Sequence, residues 1–375
     1  MIYLDYSATT PVNNEVLESF VKCNKEYIGN PNSLHKLGID GLNLINSATD
    51  QIKKLLKIDN FDVIYTSGAS EANNLALKGI TDLYSNRGNK IITSSLEHSS
   101  IYKPLEYLKN KGFEICYAPL NNDGTINLSE LDEIIDDNTI LVTINAVNSE
   151  TGVMQPIDDI GKIVNKYPKC YFHTDITQAI GKININLDNV DLASFSSHKF
   201  YGLKGVGALL KKDKIIIEPI IHGGKSTTNY RSGTPALPLI VSTAKALRLS
   251  LDELDNKYTF ISSLNSDLRD FFSKFDKVYV NSPNDAISHI LNISIKGVKP
   301  ESFLHALEKY DIFISTKSAC SSSNSASDAV FAITKSMDRA NSSLRISLSY
   351  LTTKEEIEEF KRIFEICYNE LTNLR

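Results

Sequence analysis

The sequence predicts an α/β fold in which a mostly parallel sheet is covered by helices on both faces, accompanied by a smaller α+β domain. Two observations predict it. Through the first two thirds of the 375 residues, short runs of apolar and β-branched residues alternate with longer helical patterns. After about residue 255 the alternation ends, and helical and strand-like segments are mixed. A chain of this length also favours one large domain with a smaller one.

In the first part, strands are predicted at apolar runs bounded by turn residues, at 62–66, 90–93, 113–117, 140–145, 170–174, 192–195 and 207–210. Helices are predicted at the longer stretches between them, at 70–83, 99–111, 128–136 and 157–167. In a parallel sheet of this kind, ligands bind beyond the carboxyl ends of the strands. The polar residues that follow each strand are therefore the candidates for a functional site.

The second part is predicted to begin with a long helix at 251–275 and to end in a charged helix from residue 353. Between them we predict strands at 277–280, 290–295, 312–314 and 343–348, a helix at 302–310, and a serine-rich loop at 318–327. Residues 1–15 are too few to fold alone. We therefore predict a large domain of residues 16–255 and a small domain of residues 1–15 and 256–375, which carries the serine-rich loop.

The composition is that of an ordinary globular protein, with 42% hydrophobic and 23% charged residues. A formal net charge of −5 gives no support for direct nucleic-acid binding. No stretch approaches the roughly 20 apolar residues that a membrane span needs, and the start of the chain lacks the pattern of a secretory signal. A membrane partner is therefore not expected.

The five cysteines are widely spaced, which indicates neither a zinc site nor a disulfide framework and fits a reducing cytoplasm. Four of them lie in apolar surroundings and are interpreted as small buried hydrophobic residues: Cys23, Cys116, Cys170 and Cys367. Cys320 differs because it lies within the serine-rich loop. It is the candidate for a reactive thiol.

The sequence Ser-Ser-His-Lys at 196–199 follows the strand at 192–195 and precedes a glycine-rich turn. A lysine at a strand end can hold an aldehyde cofactor as a Schiff base. Taken alone, Lys199 could equally be one of many solvated surface lysines.

Four further segments follow predicted strands, and each has a functional and a structural interpretation. Ser70 could begin a phosphate-binding helix or simply cap one. Asp175 could protonate a pyridine nitrogen or cap a helix. His98 could stack on a flat ring, relay protons or be structural. Asn148 could donate to a phenolic oxygen or a substrate carboxylate.

Arg231 to Thr234 form a turn that carries a cation and a hydroxyl group. Such a turn suits phosphate binding and suits a plain surface turn equally well. Each of these motifs is ambiguous alone, but they occur together at successive strand ends.

In this order, the motifs resemble the pyridoxal-phosphate enzymes of aminotransferase class V, most closely the group I cysteine desulfurases of the NifS/IscS type. The resemblance extends over nearly the whole chain, from Tyr-Leu-Asp-Tyr-Ser-Ala-Thr-Thr-Pro at 3–11 and Gly-Asn-Pro-Asn-Ser at 29–33 to Ser-Ala-Cys-Ser at 318–321 and Ser-Leu-Arg-Ile-Ser at 343–347. It also includes the segments at 67–71, 97–98, 148–152, 175–178, 196–199 and 231–234. It implies the fold type I of pyridoxal-phosphate-dependent transferases, pyridoxal 5'-phosphate as cofactor and a homodimer.

The resemblance also implies roles in holding the cofactor. Lys199 would form the Schiff base, Asp175 would pair with the pyridine nitrogen, and His98 would stack on the ring. Gln178, with Asn148 nearby, would bond the phenolic oxygen. The phosphate would be held by residues at the helix start and the lysine turn, namely Ala69, Ser70, Ser196, Ser197 and His198, with Thr234 reaching it from the second subunit.

For the reaction, the resemblance implies that Arg345 and Asn148 bind the carboxylate of L-cysteine. Cys320, Lys199 and His98 would be catalytic: Lys199 would move the α-proton, and Cys320 would take the sulfur as a persulfide, leaving alanine. The sulfur would pass to an acceptor protein, such as an iron–sulfur scaffold or a tRNA-thiolation enzyme. No resident metal is expected, and a transient iron–sulfur contact at Cys320 stays open.

Two alternatives remain at this stage. A selenocysteine lyase or another β-eliminating enzyme would keep the fold and the cofactor, and an inactive structural partner of a sulfur-transfer complex would keep the fold alone. The chain departs from the family pattern at Lys317, where a glycine is usual, and at residues 225–230. It also lacks the longer tail with which some relatives dock a scaffold, so delivery to that scaffold is less secure than sulfur release.

Overall fold

The structure, a computed structural model, describes residues 1–316 and 326–373. The predicted nucleophile Cys320 and the unusual Lys317 lie outside the described residues. Most of the predicted serine-rich loop does so as well.

The described strands are β1 (Ile2–Tyr3), β2 (Phe61–Thr66), β3 (Lys90–Thr93), β4 (Glu114–Tyr117), β5 (Thr139–Thr143), β6 (Tyr171–Asp175), β7 (Leu192–Ser196), β8 (Gly207–Lys212), β9 (Val278–Val280), β10 (Ile290–Ile295), β11 (Ile312–Phe313) and β12 (Ser343–Ser347). The helices are α1 (Asn14–Glu26), α2 (Lys36–Leu56), α3 (Ala69–Tyr84), α4 (Ser99–Asn110), α5 (Leu128–Ile134), α6 (Ile157–Val164), α7 (Leu237–Leu251), α8 (Leu254–Phe272), α9 (Pro300–Glu308), α10 (Asp328–Thr334), α11 (Met337–Asn341) and α12 (Lys354–Asn373).

Seven strands form one sheet in the order β2-β8-β7-β6-β5-β3-β4. Strand β8 runs antiparallel to both of its neighbours, and the strands from β7 to β4 pair in parallel. The predicted α/β class with a mostly parallel sheet is therefore confirmed. All strands except β8 end at the same edge of the sheet, which collects the polar residues that follow them.

Helices cover both faces of this sheet, as its buried apolar strands require. Neighbouring residues of one strand contribute to opposite faces, since Ile91 packs in the cluster with α3 and α4 and Ile92 packs in the cluster with α1, α2, α6 and α7. This alternation is the period of two that a strand imposes on its side chains. The sheet is thus a rigid platform for the residues at its edge.

The second part of the chain contains a three-stranded antiparallel sheet, β12-β10-β9, and a short parallel pair formed by β1 and β11. The N-terminal residues Ile2 and Leu4 share a hydrophobic cluster with α8, α9 and α12, in which Phe360 and Phe364 are fully buried. Ile287 and Ile290 instead pack in the larger cluster of the first part. The division at residues 15 and 255 stays a prediction.

Among the residues that the structure describes, no helix is both long and apolar enough to cross a bilayer. The same part of the chain contains no group of three or more His, Cys, Asp or Glu side chains arranged to hold a metal ion.

Candidate active site

A cavity of about 180 Å³ lies where strand ends, the start of α3 and the N-terminal segment meet. Nine of the sequence-predicted site residues line it: Ala69, Ser70, His98, Asp175, Gln178, Ser196, His198, Lys199 and Arg345. The two that lie farthest apart along the chain, Ala69 and Arg345, are separated by 276 positions. The fold therefore brings most of the predicted set together at the expected edge of the sheet.

Lys199 ends a single 3-10 turn, Ser197–Lys199, that directly follows β7. Its Nζ donates to two carbonyl oxygens of the N-terminal segment, those of Ser7 (2.6 Å) and Ala8 (2.7 Å). The turn depends on Gly202, because a Cβ there would come within 1.9 Å of Ser197 Oγ. The amine is thus held at the cavity by residues almost 200 positions away.

Asp175 is the last residue of β6, and its carboxylate is fixed from two sides. The backbone N–H of Thr177 donates to Oδ1 (2.9 Å), and Asn73 Nδ2 donates to Oδ2 (2.8 Å). Asn73 also donates to Ser100 Oγ (2.8 Å), which contacts His98 Nδ1 at 2.8 Å. One asparagine of α3 therefore orients both the carboxylate and the imidazole.

Glu97 precedes His98 and is buried beneath the cavity. Its Oε1 accepts from Ser94 Oγ (2.6 Å) and from the N–H of Asn145 (2.9 Å), while its Oε2 has no partner within residues 1–316 and 326–373. Burial raises the pKa of Glu97 to about 8, helped by the charge of Asp175 and opposed by the two hydrogen bonds. Glu97 is therefore neutral at neutral pH, and Asp175 is the carboxylate that lines the cavity.

The N-terminus of α3 forms one wall, where the helix dipole and the backbone amides of the first turn favour an anion. Ala69 N–H donates to Ser196 Oγ (2.7 Å), which joins the helix start to the end of β7. The backbone approaches so closely that a Cβ on Gly207 would lie 2.3 Å from the Phe195 carbonyl oxygen and 2.7 Å from Gly68 Cα. Glycine at this position keeps the anion-binding wall in place.

His198 lies beside this wall, with its Nδ1 3.1 Å from Thr9 Oγ1. Burial lowers the pKa of His198 to about 4, and the positive charges of Lys199, Lys204 and Lys182 lower it further. His198 is therefore neutral here and contributes to the cavity as a hydrogen-bonding group rather than as a cation.

Arg345 lies in β12 and is 1% exposed, although it lines the cavity. One guanidinium nitrogen forms an ion pair with Asp5 (2.7 Å), and another donates to the Ser149 carbonyl oxygen (3.0 Å). These contacts hold a fixed positive charge at the cavity. A planar guanidinium in this position suits a carboxylate ligand.

The structure places three of the predicted residues away from the cavity lining. Asn148 uses Oδ1 to accept from Glu150 N–H, Thr151 N–H and Thr151 Oγ1, and its Nδ2 donates to the Leu96 carbonyl oxygen. It therefore holds the turn that supplies Ser149. The hydroxyl of Ser197 accepts from Thr243 Oγ1, and Thr234 is exposed at the surface.

Several lining residues were not anticipated from the sequence, namely Ser7, Ala8, Ser100, Asn145, Val147, Ser149 and Thr177. Most of them follow a strand or adjoin a predicted residue, so the strand-end rule could have found them. The contacts of Ser7 and Ala8 with Lys199 could not be predicted from the local sequence. Both residues accept through their backbone carbonyls, a group that every residue has.

Three buried side-chain atoms of cavity-lining residues have no hydrogen-bond partner in the described part of the chain: Asn145 Oδ1, Thr177 Oγ1 and Arg345 Nε. Buried polar atoms of this kind are normally satisfied, so the cavity is built to receive a polar ligand. Two cations and a helix N-terminus suit a ligand with two anionic groups, and the Asp175 carboxylate suits a protonated ring nitrogen. These residues fit a phosphorylated pyridine aldehyde joined to an amino acid.

The sequence model of the family described as aminotransferase class-V matches residues 2–360. The chain belongs to this family. The motif-based identification of the class-V family is thereby confirmed. Enzymes of this family use pyridoxal phosphate, and the cavity described above contains a fitting set of residues for it.

Similar sequences narrow the relationship within class V. The chain is 37% identical over its whole length to cysteine desulfurase IscS of Dictyoglomus turgidum, covering 96% of that relative. It is 41% identical over its whole length to cysteine desulfurase IscS of Buchnera aphidicola subsp. Baizongia pistaciae, covering 94% of it. The predicted likeness to the NifS/IscS type is therefore confirmed.

Solved structures agree with this placement. A NifS-like protein superimposes with a TM-score of 0.91 at 33% identity, covering 97% of this chain and 98% of that one. A structure described as SspA in complex with cysteine superimposes with a TM-score of 0.82 at 32% identity, covering 94% of this chain and all of that one. The fold is that of the pyridoxal-phosphate-dependent class-V enzymes.

Proposed function

We propose that this protein is a cysteine desulfurase, which converts L-cysteine to L-alanine and takes the sulfur as a persulfide on Cys320. The observation that carries the proposal is the convergence of Lys199, Asp175 and Arg345 on one cavity. It occurs in a chain that is about 40% identical over its full length to proteins with this activity in their names.

Pyridoxal phosphate, when bound, supplies an electron sink conjugated to the α-carbon of the substrate. The start of α3 with Ala69, Ser70 and Ser196 would hold its phosphate, and Asp175 would keep a proton on its ring nitrogen. His98 would lie against the ring. Lys199 would carry a proton between the α- and β-carbons, since its amine is already held at the cavity. Arg345 would bind the substrate carboxylate.

In the sulfur step, a sulfur atom passes from the substrate thiol to the enzyme thiol. The Cys320 thiolate attacks the sulfur of the substrate, the bond from sulfur to Cβ breaks, and its electron pair stays with the substrate carbon. A proton then completes the methyl group of alanine, and the sulfur remains on Cys320 as a persulfide. No external oxidant is required, because the oxidised sulfur on the enzyme balances the reduced carbon of alanine.

The described residues that flank Cys320 support this role, although residue 320 itself lies outside the described part. Ser315 and Arg345 exchange backbone hydrogen bonds, so the chain enters the segment beside a cavity residue. At the other end, Ser327 Oγ donates to Glu150 Oε2 (2.6 Å). Cys320 lies five positions after Ser315, and a chain of five residues spans at most about 18 Å.

The test begins with purified protein loaded with pyridoxal phosphate. We expect a visible absorption band that is absent from Lys199→Ala, and equal amounts of alanine and persulfide sulfur after L-cysteine is added without a reductant. Protein that stays colourless, or that forms no alanine from L-cysteine, would refute the proposal.

The matched control for the nucleophile is Cys116→Ala, because Cys116 is the described cysteine that is not buried. Mass spectrometry is expected to find one added sulfur atom on Cys320 in wild type and in Cys116→Ala, and none on Cys320→Ala. Alanine formation that persists in Cys320→Ala would favour β-elimination without an enzyme persulfide, as in a selenocysteine lyase.

We further propose that the enzyme is a homodimer and passes its sulfur to an acceptor protein, such as an iron–sulfur scaffold or a tRNA-thiolation enzyme. Exposed Thr234 supports the dimer, since it is free to reach a second subunit. A cytoplasmic location is supported by the four described cysteines, which are all free thiols.

A further inference from the structure

Lys182 is a buried lysine that the proposed reaction does not use. It ends the turn that follows β6 and is 7% exposed. The turn relies on Gly181, which has a φ of +71° and packs so tightly that a Cβ would lie 2.9 Å from Phe200 Cβ. Gly181 thus brings the turn against the residue that follows Lys199.

The ammonium group of Lys182 donates to Gln178 Oε1 over 2.6 Å. At its other end, the same amide donates from Nε2 to the Ser7 carbonyl oxygen (2.9 Å). That oxygen also accepts from Lys199 Nζ (2.6 Å). Lys182, Gln178, Ser7 and Lys199 therefore form one continuous hydrogen-bonded chain.

An amide side chain can be rotated by half a turn with almost no change in shape. The rotation exchanges the positions of its acceptor oxygen and its donor nitrogen. A protonated lysine has donors and no acceptor, so it contacts the oxygen end. The Lys182 contact consequently turns the nitrogen end of Gln178 toward Ser7. The nitrogen carries two hydrogens, one of which is used by Ser7.

We propose that Lys182 is a positioning residue, which fixes the orientation of the Gln178 amide so that its N–H group can donate to an anionic ring oxygen of the bound cofactor. The inference rests on the proposed function, because it assumes the role of Gln178 beside the phenolic oxygen. Lys182 itself is not among the residues that line the cavity.

The surroundings of Lys182 bear on whether it acts through its hydrogen bond to Gln178 or only through its positive charge. Burial lowers the pKa of Lys182 to about 7, and the positive charges of Lys199 and Arg345 lower it further. His198 and His289 also lie within its electrostatic reach, and burial keeps both imidazoles neutral by lowering their pKa values. An amine can donate a hydrogen bond whether or not it is charged, so Lys182 can keep its contact with Gln178 Oε1 on both sides of this pKa, while the Ser7 carbonyl continues to accept from Nε2.

The test compares Lys182→Met with Lys182→Gln in the holoenzyme, by titrating the visible chromophore that the cofactor forms with Lys199. A hydrogen bond donated to the phenolic oxygen stabilises the negative charge on that oxygen. The chromophore then holds its proton less tightly. Loss of the donor in Lys182→Met is therefore expected to raise the apparent pKa of the chromophore by about one unit, a tenfold change in proton affinity. Lys182→Gln removes the charge but keeps a donor, so its titration should stay close to that of wild type.

A double-mutant cycle with Gln178→Ala decides whether Lys182 acts through Gln178. In the Gln178→Ala background, Lys182→Met should produce no further shift. An equal shift in both backgrounds, or equal titrations of Lys182→Gln and Lys182→Met, would overturn the inference. Lys162→Met, at an exposed site on α6, is the control and should leave the titration unchanged.

If Lys182→Met does not fold, Lys182→Gln still decides between the two roles. If Lys182 acts only through its charge, the apparent pKa of the chromophore shifts in Lys182→Gln. If Lys182 positions Gln178, that pKa stays unchanged. The readout needs the chromophore and no turnover. A wild-type protein that forms the chromophore but does not desulfurate cysteine would refute the proposed function while leaving this inference open to the same titrations. A protein that forms no chromophore would refute both.

Discussion

Glu97 is a buried ionisable residue beside the cavity, where burial opposes its negative charge. Its pKa is raised to about 8 in the folded protein, chiefly by burial, whereas a carboxyl in an unfolded chain titrates near 4.5. Between these two values the folded state binds one more proton than the unfolded state. By linkage, the contribution of Glu97 to stability is complete below pH 4.5 and declines as the pH rises toward 8.

Glu97→Gln should therefore stabilise the protein at neutral pH. The amide imitates the protonated carboxyl and removes the need to take up a proton on folding, which is worth about 3 kcal/mol at pH 7. The free energy of unfolding, from urea denaturation at several pH values, checks this. The gain should grow from pH 5 to pH 8.

Glu71→Gln is the control of opposite sign. Burial alone would raise the pKa of Glu71, but hydrogen bonds from Arg231 and Ser67 outweigh it and lower the pKa. The folded state thus favours the charged form, and the stability it contributes is present above the unfolded pKa and lost in acid. Glu71→Gln should destabilise the protein at pH 7, and destabilisation by both variants would refute the account of Glu97.

Asp5 forms an ion pair with Arg345 and so orients the guanidinium that we propose binds the substrate carboxylate. Asp5→Asn should raise the KM for L-cysteine by about tenfold, as expected for the loss of a charge-assisted hydrogen bond, with a smaller fall in kcat. Steady-state kinetics of alanine formation give both values.

Asp62→Asn is the matched control for Asp5→Asn, since Asp62 also forms an ion pair with a buried cation, that of Lys211. It should lower stability and leave the KM unchanged. Equal changes in KM for the two variants would mean that Asp5 acts on stability alone.

At the scale of single residues, the strand-end rule found the groups that act through their side chains. Asp175 and Lys199 follow β6 and β7 directly, so their place could be predicted from local pattern. The contacts of Asn73 and of the Ser7 carbonyl could not, because they depend on how α3 and the N-terminal segment close on the sheet. Asn148 was assigned to a ligand, but its Oδ1 accepts hydrogen bonds within its own turn and its Nδ2 donates to the Leu96 carbonyl oxygen.

At the scale of elements, the approach of α3 to β7 and β8 determines how well the helix start can hold a phosphate. Gly207→Ala should push the strands and the helix apart, since its Cβ would meet the Phe195 carbonyl and Gly68 Cα. We expect a loss of about 1–3 kcal/mol in stability and at least tenfold weaker pyridoxal-phosphate binding. Thermal unfolding and fluorescence titration with the cofactor measure the two effects.

Gly224→Ala is the control for Gly207→Ala, because a Cβ there meets nothing within 4 Å. It should change stability by less than about 0.5 kcal/mol. If Gly207→Ala binds the cofactor as tightly as Gly224→Ala does, the close approach of α3 is not what holds the phosphate.

The seven predicted strands of the large sheet agree with the structure to within two residues at each end, because buried parallel strands appear as unbroken apolar runs. Helix prediction was less complete. Helices α1, α2, α7, α10 and α11 were not assigned. Helix α1 buries only Val16 and Cys23, while Leu37 and Ile39 of α2 are exposed. Apolar residues on both faces of a helix blur the period on which such a prediction depends.

At the scale of the whole molecule, residues 1–13 tie the smaller sheet to the larger one. Strand β1 pairs with β11, Ser7 N–H donates to Ser347 Oγ, and Thr10 N–H donates to the His198 carbonyl oxygen. The same segment supplies the acceptors of Lys199. Packing between the two parts and geometry at the cavity are therefore linked through one short stretch of backbone.

Two exposed features of the described chain bear on where the proposed second subunit would dock. Arg231 forms an ion pair with Glu71 at the start of α3 (3.0 Å), which anchors the turn that carries exposed Thr234. Ile28 and Leu34 are large apolar side chains that are 80% and 94% exposed. We propose that a second subunit covers these side chains and that Thr234 reaches the place where the phosphate of that subunit would bind.

Mixing two inactive variants tests whether Thr234 acts across the dimer. Lys199→Ala lacks the essential amine, and Thr234→Asp places a negative charge where the phosphate would bind, so each homodimer should be inactive. In a mixed dimer, the site with an intact Lys199 would receive an intact Thr234 from the other subunit. Co-expression at equal levels should thus restore about a quarter of wild-type activity, because half the dimers are mixed and each has one working site. If Thr234 serves its own subunit, every site in the mixture carries one of the two lesions, and alanine formation stays at zero.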